Sequence, residues 1–577
     1  MKTRITGAEF IALYLQKQKI SHVLEVIGGM IALIIDAMYR KTGIKIISMH
    51  HEQAAGFAAE GFSRFTNRPS VAMATSGPGA TNLATAIGSC YFDSVPVLFL
   101  TGQVNRNEQK KRKKIRQLGF QETDIVSVTK PICKKSYMVQ SARHLQALLP
   151  HTFEIMAEGR KGPVVLDVPM DIQKNLYYFS LKKKNADPGI SPQHERSFFT
   201  YLQHSLEGAR KPLILLGGGI RSSGTEKQAD KLVQRFGIPA VHSLMAVDVL
   251  PFLNPLRVGL IGSYGNRWAN LALAESDLLL VLGSRLDIRQ TGANAKSFSR
   301  GKKIFHVDTE RGEMNNRIKG CLTFQSELPF FFEKLLKKKG FKNKKWSEWT
   351  KKIHFLKKQW PDTKENKNSD RVNPNRFMIA LSERSKKASG FVVDVGQHQM
   401  WAAQSLRLFA GQRFITSGGM GSMGFALPAS IGACLAVTPC PIVMIAGDGG
   451  FQCNLQELQT VKRNNLAIKM VVINNGCHGM VRQFQESYLE KRYQSTLLGY
   501  SAPSFAKIAR AYGIKATKVV REKDVELKLR MMWEKPREPF LLEVVLSSDV
   551  NVYPKLAFGK TLADMEPQVF SEKLEST

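Results

Sequence analysis

A carboxylate and a pair of amides follow two apolar runs late in the chain. Gly447-Asp448-Gly449 comes directly after one run, and 24 residues separate Gly449 from Asn474-Asn475, which ends the next. Neighbouring parallel strands present their carboxyl ends at one edge, so this spacing should bring Asp448 and Asn475 into one crevice. Carboxylate and amide oxygens suit a hard cation, and glycine N–H groups can approach phosphate. We predict a magnesium site that holds a diphosphate, although Gly-Asp-Gly alone would also suit an ordinary strand-to-helix turn.

A glutamate stands at the start of a helix-like segment near the amino terminus. His51-Glu52-Gln53 follows the strand-like run 44–48 and leads into a segment rich in Ala and Gly. In such a tightly packed setting we expect Glu52 to be desolvated, which favours its protonated form or a basic partner. In the turn 75–82, glycines permit close approach and Pro78 fixes the backbone. Glu52 is a candidate for proton transfer, with a helix cap or an ion pair as the alternative.

The apolar pattern predicts the elements that position these residues. Continuous apolar runs alternate with helical patterns at 71–75, 95–100, 163–168, 212–216, 277–283, 391–396, 442–446 and 470–473. Such runs between helices indicate parallel sheets covered on both faces. We predict an α/β protein with three doubly wound parallel-sheet domains.

Polar stretches mark the predicted domain boundaries. Charged and Pro-containing segments near 182–196 and 335–372 lack apolar periodicity. The predicted units are a first domain (1–185), a central domain (190–340), a basic linker (341–372), a third domain (373–560) and a C-terminal tail (561–577). The Lys-rich linker is typical of a solvated helix.

Composition narrows the class of protein. With 577 residues, 43% of them apolar, the chain can support about three domains. No apolar run approaches the roughly 20 residues of a membrane span, and the first residues lack a signal-peptide core, so we expect a cytoplasmic protein with no membrane partner. The seven cysteines lack the spacing of zinc or redox motifs. The net charge of +35 attracts anions, but nucleic acid is not an expected partner because no nucleic-acid-binding motif accompanies it.

The Gly-Asp-Gly and Asn-Asn pair resembles the cofactor fingerprint of thiamine-diphosphate enzymes. The resemblance implies that Asp448, Asn475 and the backbone carbonyl of Cys477 bind Mg²⁺. It implies that Glu52 hydrogen-bonds the aminopyrimidine ring of thiamine diphosphate and so promotes loss of the thiazolium C2 proton. It also implies a homodimer or homotetramer, because in this family the glutamate and the metal site come from different subunits.

Further cofactor contacts follow from the same resemblance. They are Gly29, Pro78, Asn82, Val395, Gly396, Gln397, His398, Gly421, Met423, Gly447, Gly449, Gly450, Cys477, His478, Gly479, Met480 and Val481. Gln397 and His398 would approach the diphosphate, and Met423 would lie beneath the cofactor. The alternative for a methionine in a Gly-rich turn is that it fills core space.

Over residues 5–560 the chain is most similar to the catalytic subunit of acetolactate synthase (acetohydroxyacid synthase). The similarity includes the segments 51–53, 75–82, 93–96, 101–104, 120–125, 396–401 and 479–481. It implies that the enzyme decarboxylates pyruvate and transfers the hydroxyethyl carbanion to a second 2-oxo acid, a step of branched-chain amino acid biosynthesis. Phe120 and Gln121 would line the substrate channel, with Gln121 reaching the reacting carbonyl. A simple decarboxylase or oxidase is the alternative that these channel residues disfavour.

Three substrate positions depart from that family. Met170 replaces a lysine, Phe484 replaces a tryptophan of the acceptor pocket, and only Arg289 remains of the Asp-Arg pair nearest the substrate. A longer loop precedes Phe120 and contains Lys110-Lys111-Arg112-Lys113-Lys114. Such a basic loop fits an acceptor that carries phosphate, so the alternative function is transfer of the two-carbon unit to a keto group of a nucleotide-linked sugar in polysaccharide biosynthesis. A solvated insertion with no role in substrate choice is the other interpretation.

The resemblance also implies FAD in the central domain. The matching residues are Gly217, Gly218, Gly219, Leu244, Met245, Gly283, Arg285, Asp287, Arg289 and Asp308. A Gly-rich turn after a strand is by itself weak evidence for a dinucleotide. The family's later Gly-Asp turn is absent, so an empty or ADP-binding central domain is the alternative.

Overall fold

The computed structural model describes residues 3–110, 113–179, 195–338, 346–366 and 371–568. Its main feature is three six-stranded parallel sheets, each flanked by helices, which confirms the predicted fold class. Residues Lys111 and Arg112 of the basic loop, parts of the linker and most of the tail lie outside the described residues.

The first sheet has the strand order β3-β2-β4-β5-β7-β6. Its region contains the strands β1 (Thr3–Thr6), β2 (His22–Val26), β3 (Lys45–Ser48), β4 (Ser70–Ala74), β5 (Val97–Gln103), β6 (Lys135–Met138), β7 (Val164–Pro169) and β8 (Leu176–Phe179). The helices are α1 (Gly7–Lys17), α2 (Ala32–Lys41), α3 (Glu52–Thr66), α4 (Pro78–Asn82), α5 (Ala84–Phe92), α6 (Ile125–Thr129), α7 (Ala142–Ala157) and α8 (Met170–Lys174). Strands β1 and β8 form a separate antiparallel pair.

The second sheet has the order β11-β10-β9-β12-β13-β14. Its strands are β9 (Pro212–Leu216), β10 (Ala240–His242), β11 (Arg257–Leu260), β12 (Leu278–Leu282), β13 (Lys303–Asp308) and β14 (Leu322–Gln325). The helices are α9 (Glu195–Gly208), α10 (Gly219–Ser223), α11 (Glu226–Phe236), α12 (Arg267–Glu275), α13 (Ile288–Thr291), α14 (Ala295–Ser299), α15 (Leu328–Lys337) and α16 (Ser347–Gln359).

The third sheet has the order β16-β15-β17-β18-β20-β19. Its region contains β15 (Gly390–Val393), β16 (Arg413–Thr416), β17 (Ile442–Gly447), β18 (Ile468–Asn474), β19 (Lys515–Val519) and β20 (Phe540–Val545), followed by the short pair β21 (Lys555–Leu556) and β22 (Met565–Glu566). The helices are α17 (Pro374–Arg384), α18 (Gln397–Ser405), α19 (Ala426–Val437), α20 (Asp448–Gln452), α21 (Leu458–Arg463), α22 (Gly479–Tyr488), α23 (Phe505–Ala511) and α24 (Val525–Trp533).

Each sheet reverses its strand order between two central parallel strands. The reversals lie between β2 and β4, between β9 and β12, and between β15 and β17. In open α/β sheets a crevice forms at this switch point, outside the carboxyl ends of the strands, and it is the usual ligand site. The fold therefore offers three such crevices.

The first and third sheets are joined by helix-to-helix packing of α3 against α19. Gly61 lies against the backbone of Ala429, and Gly432 lies against the backbone of Ala58, so a side chain at either glycine would collide with main chain. Residues of both sheets share one buried apolar cluster. The start of α3, where Glu52 lies, is thus anchored to the third sheet of the same chain.

Two segments pack more closely than their composition indicates. Helix α16, in the predicted basic linker, buries Trp349, Ile353 and Leu356 in the central core. It is therefore not solvated all round, because these apolar residues form a face that packs on the core. The predicted boundary at residue 560 falls inside the β21–β22 hairpin, where Met565 is buried.

Over the described ranges no helix has the length and apolarity needed to cross a membrane.

Candidate active site

Asp448 is a buried carboxylate at the carboxyl edge of the third sheet. It begins α20 directly after β17, and β17 pairs with β18 in the register Gly447 to Ile473, so Asp448 and Asn475 leave neighbouring strands. Its Oδ1 accepts a hydrogen bond from Gly449 N at 3.0 Å, whereas Oδ2 has no hydrogen-bond partner in the described structure. Burial raises the pKa of Asp448 to about 6. A buried carboxylate oxygen without a partner is costly unless a cation or solvent satisfies it.

The orientation of the Asn475 side chain is fixed by a chain of amides. Gln397 Nε2 donates to the backbone carbonyl of Val550 at 3.1 Å, which turns Gln397 Oε1 towards Asn475 Nδ2 at 3.0 Å. Gln483 is held in turn by both backbone groups of Val552 and accepts from Gln397 Nε2 at 3.2 Å. The amide nitrogen of Asn475 is therefore occupied, and its oxygen is left available as a ligand.

Asn474 has a different role from its neighbour. Its Nδ2 donates to Glu543 Oε1 at 3.0 Å, and its Oδ1 accepts from Gly476 N at 3.1 Å. Gly476 adopts a positive φ of 63°, which favours glycine, and the turn leads to Cys477, whose side chain is buried. Asn474 thus shapes the turn, and Asn475 alone of the pair offers an oxygen to a cation.

The set of oxygen ligands is small. No group of three or more His, Cys, Asp or Glu side chains that could hold a metal ion occurs among the described residues. One carboxylate, one amide oxygen and one backbone carbonyl leave half of an octahedron for phosphate and water, which suits Mg²⁺ rather than a closed protein site. The donors present therefore fit a magnesium diphosphate.

Glycines and two histidines line the floor of this crevice. A Cβ on Gly447 would lie 2.9 Å from His398 Cε1, and one on Gly449 would lie 2.8 Å from His478 Cε1. His398 is 4% exposed, burial lowers its pKa to about 3, and its Nε2 has no partner over the described ranges. A neutral imidazole that can donate one hydrogen bond fits a phosphate oxygen.

A second carboxylate holds the Met423 loop. Asp394, which follows β15, accepts hydrogen bonds from the backbone N–H groups of Val395 at 2.8 Å, Gly424 at 3.1 Å and Ala426 at 2.8 Å. Gly450 lies against this carboxylate, since a Cβ added to Gly450 would be 2.7 Å from Asp394 Oδ1. Met423 is 40% exposed instead of filling core.

The remaining residues predicted beside these elements lie on the same edge. Gly396 and Gly421 have positive φ values of 155° and 68°. Gly479 begins α22, Met480 is partly buried, and Val481 is 54% exposed.

Glu52 lies at the carboxyl edge of the first sheet, at the first residue of α3. Its Oε2 accepts a hydrogen bond from Asn82 Nδ2 at 2.9 Å, so these two predicted residues are in contact. Contrary to expectation, Glu52 is only half-buried in this chain, because the small residues that pack tightly lie on later turns of α3. Pro78 begins α4 after Gly77, whose φ is 63°. A Cβ on Gly29 would meet no atom within 4 Å, so Gly29 borders open space.

The predicted substrate residues differ in exposure, since Phe120 is exposed whereas Gln121 and Met170 are partly buried. Gln121 adopts a φ of 63° and lies against Gly77, whose added Cβ would be 2.9 Å from Gln121 Cβ. Phe120 is 80% exposed, and Met170 begins α8 after β7. Phe484, on α22 of the third sheet, is 53% exposed and its ring centroid lies 4.9 Å from that of Tyr488.

The basic loop is closed by one carboxylate. Glu122 accepts hydrogen bonds from the backbone N–H of Lys110 at 2.7 Å and of Leu118 at 2.9 Å, at the two ends of the loop. Lys113 and Lys114 are exposed and have no acidic partner in the described part of the chain. Lys111 and Arg112 fall outside that part.

A cavity of about 360 Å³ lies at the switch point of the central sheet. Its lining includes Gly218, Gly219, Leu244, Met245, Gly283, Arg285, Asp287, Arg289 and Asp308. Gly217 packs against the backbone of Gly283, with 2.5 Å between its added Cβ and Gly283 C, so it is required by packing and does not line the cavity. Asp287 caps α13 by accepting from Arg289 N at 3.0 Å.

Several residues at these sites were not predicted from the sequence. Asp394 and Gln483 lie within or beside predicted motifs, but their hydrogen bonds join positions far apart in the chain. Tyr500, whose ring centroid lies 4.3 Å from that of His478, lies close enough to Asp448 to lower the pKa of that carboxyl, although its hydroxyl makes no hydrogen bond of normal geometry among the described residues. For Asp394, its place at the end of a predicted strand was the one available signal.

Comparison with known proteins identifies three matching family domains. Residues 5–128 match the N-terminal TPP binding domain of thiamine pyrophosphate enzymes, residues 201–335 match their central domain, and residues 394–544 match their C-terminal TPP binding domain.

Similar proteins match almost the whole chain. The acetolactate synthase large subunit of Cyanidium caldarium is 35% identical, over 97% of this chain and 96% of that protein. The large subunit of Lactococcus lactis is 34% identical, over 99% and 97%. The isozyme 1 large subunit of Escherichia coli is 33% identical, over 98% of both chains.

Proposed function

The chain belongs to the thiamine pyrophosphate enzymes as an acetolactate synthase-like carboligase, and from that premise we propose that it converts pyruvate to acetolactate. In this reaction one pyruvate loses carbon dioxide and its two-carbon unit joins the carbonyl carbon of a second 2-oxo acid. The observation that carries the proposal is that Asp448 Oδ2 has no hydrogen-bond partner among the described residues, while Asn475, after the neighbouring strand, has its amide nitrogen already bonded.

The third sheet would hold the cofactor. When bound, thiamine diphosphate supplies the nucleophilic carbon that takes up the acyl unit of pyruvate. Asp448 Oδ2, Asn475 Oδ1 and the Cys477 carbonyl would bind Mg²⁺, and the backbone N–H groups of Gly449 and Gly450 would face the diphosphate at the start of α20. His398 Nε2 would donate a hydrogen bond to a phosphate oxygen, whereas Gln397, whose amide nitrogen already donates to Gln483 and Val550, would act by orienting Asn475.

Glu52 would act on a proton of the aminopyrimidine ring. Its carboxyl group would share a proton with ring nitrogen N1′ of the bound cofactor, and the Asn82 contact would help to orient the carboxyl. A partner surface would complete the site, because Glu52 is half-buried while Met423 and Phe484 are 40% and 53% exposed on the single chain. We therefore propose a homodimer or a homotetramer.

The central cavity would bind FAD. The support is its position at the switch point of a parallel sheet and its lining by residues to which the sequence resemblance assigns a flavin. Arg285 at the cavity would face the anionic diphosphate of the dinucleotide. The test is the absorbance spectrum of the purified protein, in which a flavin band near 450 nm would support bound FAD. Release of ADP alone would contradict the assignment.

The acceptor would be selected by the predicted substrate residues. Gln121, which lies against Gly77, would reach the acceptor carbonyl, Arg289 would bind the acceptor carboxylate, and Phe484 with Met170 would set the width of the pocket. Lys113 and Lys114, which are exposed and lack an acidic partner among the described residues, favour one second candidate, a nucleotide-linked ketosugar as acceptor.

One experiment tests the function and the acceptor. Purified protein is incubated with thiamine diphosphate, Mg²⁺ and pyruvate, with and without a nucleotide-linked 4-ketosugar, and products are identified by mass. Acetolactate at equal rates in both supports the 2-oxo acid acceptor, whereas a sugar adduct that suppresses acetolactate supports the second candidate. Glu52→Gln should abolish carboligation and leave the fold intact, and full activity of that variant would refute the proposed role of Glu52.

A further inference from the structure

The segment 48–53, which joins β3 to α3 and carries Glu52, is held by the third sheet's region of the same chain. Asn454 Nδ2 donates to Gln53 Oε1 at 3.3 Å, and Arg463 donates to the carbonyl of Ser48. Between these two contacts, Glu457 Oε1 accepts the backbone N–H of His50 at 2.9 Å. All three holding residues lie within the short stretch 454–463 that contains α21.

Glu457 is the centre of this arrangement. It is fully buried at 0% exposed, and its Oε2 accepts the hydroxyl of Thr460 at 2.7 Å. His50 Nδ1 lies 3.1 Å from Thr460 Oγ1 and 3.6 Å from Glu457 Oε2. Both oxygens of the carboxylate therefore have partners, one of them the amide two residues before Glu52. A buried carboxylate with satisfied partners is held in one geometry.

The opposite side of the segment is fixed as well. Glu25, 1% exposed on β2, accepts the hydroxyl of Ser48 at 2.5 Å, and the backbone N–H of Met49 donates to the Glu25 carbonyl at 2.8 Å. Glu52 itself has only the contact with Asn82 among the described side chains. The backbone that Glu457 and Glu25 hold thus sets where the Glu52 side chain starts, and the Asn82 contact restrains its end.

We propose that Glu457 is a positioning residue for Glu52. Its carboxylate fixes the His50 amide and with it the first turn of α3, so that the half-buried Glu52 is presented in one orientation. The inference rests on the proposed role of Glu52 and goes beyond it, because it assigns the alignment of that residue to a buried glutamate 405 positions away in the chain. The residues proposed to hold the diphosphate begin at Asp448, and the stretch 454–463 that holds the Glu52 segment follows them directly in the chain.

Matched variants separate positioning from folding. Glu457→Gln keeps an acceptor oxygen for the His50 amide, whereas Glu457→Leu removes it at similar volume. Thr460→Val removes only the hydroxyl that orients the carboxylate. Thr152→Val is the control, because Thr152 is equally buried and its hydroxyl bonds only to Leu149 O of its own helix, at 2.7 Å.

The first readout uses the cofactor-free protein. Hydrogen exchange of the His50 amide should accelerate at least about tenfold in Glu457→Leu, since the amide loses its acceptor, and stay close to wild type in Glu457→Gln and Thr152→Val. Thr460→Val should give an intermediate rate. Unchanged exchange at His50 in folded Glu457→Leu would overturn the proposal.

The second readout is kinetic. Glu457→Leu should lower kcat by about 10²-fold with KM for pyruvate nearly unchanged, because misplacement of a reacting group by about 1 Å has that effect, and Glu457→Gln should restore most of kcat. If Glu457→Leu does not fold, Thr460→Val carries the test, with a lower kcat than Thr152→Val. Equal kcat in Thr460→Val and Thr152→Val would contradict the inference. If Glu52→Gln is inactive and Glu457→Leu is fully active, the positioning role of Glu457 is refuted but the role of Glu52 is not. If Glu52→Gln is active, the proposed role of Glu52 itself is refuted.

Discussion

Gly479 is the position where one added methyl group should disable the metal site with little effect on the fold. A Cβ at Gly479 would lie 2.5 Å from Gln397 Cδ and 2.8 Å from Asn475 Nδ2. Since carbon atoms pack at about 3.5–4.0 Å, the Gln397 amide must retreat by about 1 Å. That movement breaks the 3.0 Å hydrogen bond which leaves the Asn475 oxygen available as a ligand.

The expected size of the effect differs between function and stability. Gly479→Ala should lower kcat/KM by about 10²-fold, because a 1 Å error in a positioned group has this consequence. Overpacking destabilises by about 1–3 kcal/mol, and replacing glycine with alanine at the first turn of α22 offsets up to about 1 kcal/mol of that. The net loss in the free energy of unfolding should therefore be about 0–2 kcal/mol, which leaves the protein folded in the assay.

The assay combines kinetics with cofactor binding. Wild type, Gly479→Ala and the control Gly43→Ala are titrated with thiamine diphosphate at saturating Mg²⁺, and cofactor affinity is measured with pyruvate turnover. Gly43 has ordinary backbone angles and no atom within 4 Å of an added Cβ, so its variant should behave as wild type. If Gly479→Ala binds the cofactor and turns over pyruvate like the control, the amide arrangement is not what orients Asn475.

The other predictions concern the first sheet. Gly29→Ala should weaken thiamine-diphosphate binding without changing the stability of the cofactor-free protein, because its Cβ would enter space that is open in the chain alone; equal cofactor affinity in titrations would contradict a contact there. Asp167 is fully buried and accepts from Thr101 and Gln103, and burial raises its pKa from 3.8 to about 7. The folded protein thus retains a proton that the unfolded chain releases, so this contribution to stability is complete below about pH 4 and is lost as the pH rises through about 7. Denaturation midpoints measured from pH 4 to 8 should fall with rising pH in wild type by more than in Asp167→Asn, and parallel curves would refute the assignment.

The sequence was sufficient for those features that depend on neighbouring strands. The spacing of Asp448 and Asn475 predicts a shared crevice because adjacent parallel strands end at one edge, and the structure has β17 and β18 paired in that way. The three switch points follow from the same regular pattern of strands and helices.

Long-range contacts could not be predicted from the same pattern. The incomplete burial of Glu52 depends on which turn of α3 faces α19, and the role of Glu457 depends on a hydrogen bond to His50 across two domains. The burial of α16 depends on its few apolar residues, whereas its many lysines led to the prediction of a solvated helix. Such contacts are set by tertiary packing, and local residue types do not encode them.

The most direct test of the magnesium diphosphate site is the dependence of acetolactate formation on Mg²⁺. Chelator-treated wild-type protein supplied with thiamine diphosphate and pyruvate should form no acetolactate until Mg²⁺ is returned, and Asp448→Asn should form little at any Mg²⁺ concentration, because its side chain lacks the partnerless anionic oxygen. If wild-type protein turns over pyruvate fully in chelator, or if Asp448→Asn responds to Mg²⁺ as wild type does, the proposed magnesium site is contradicted.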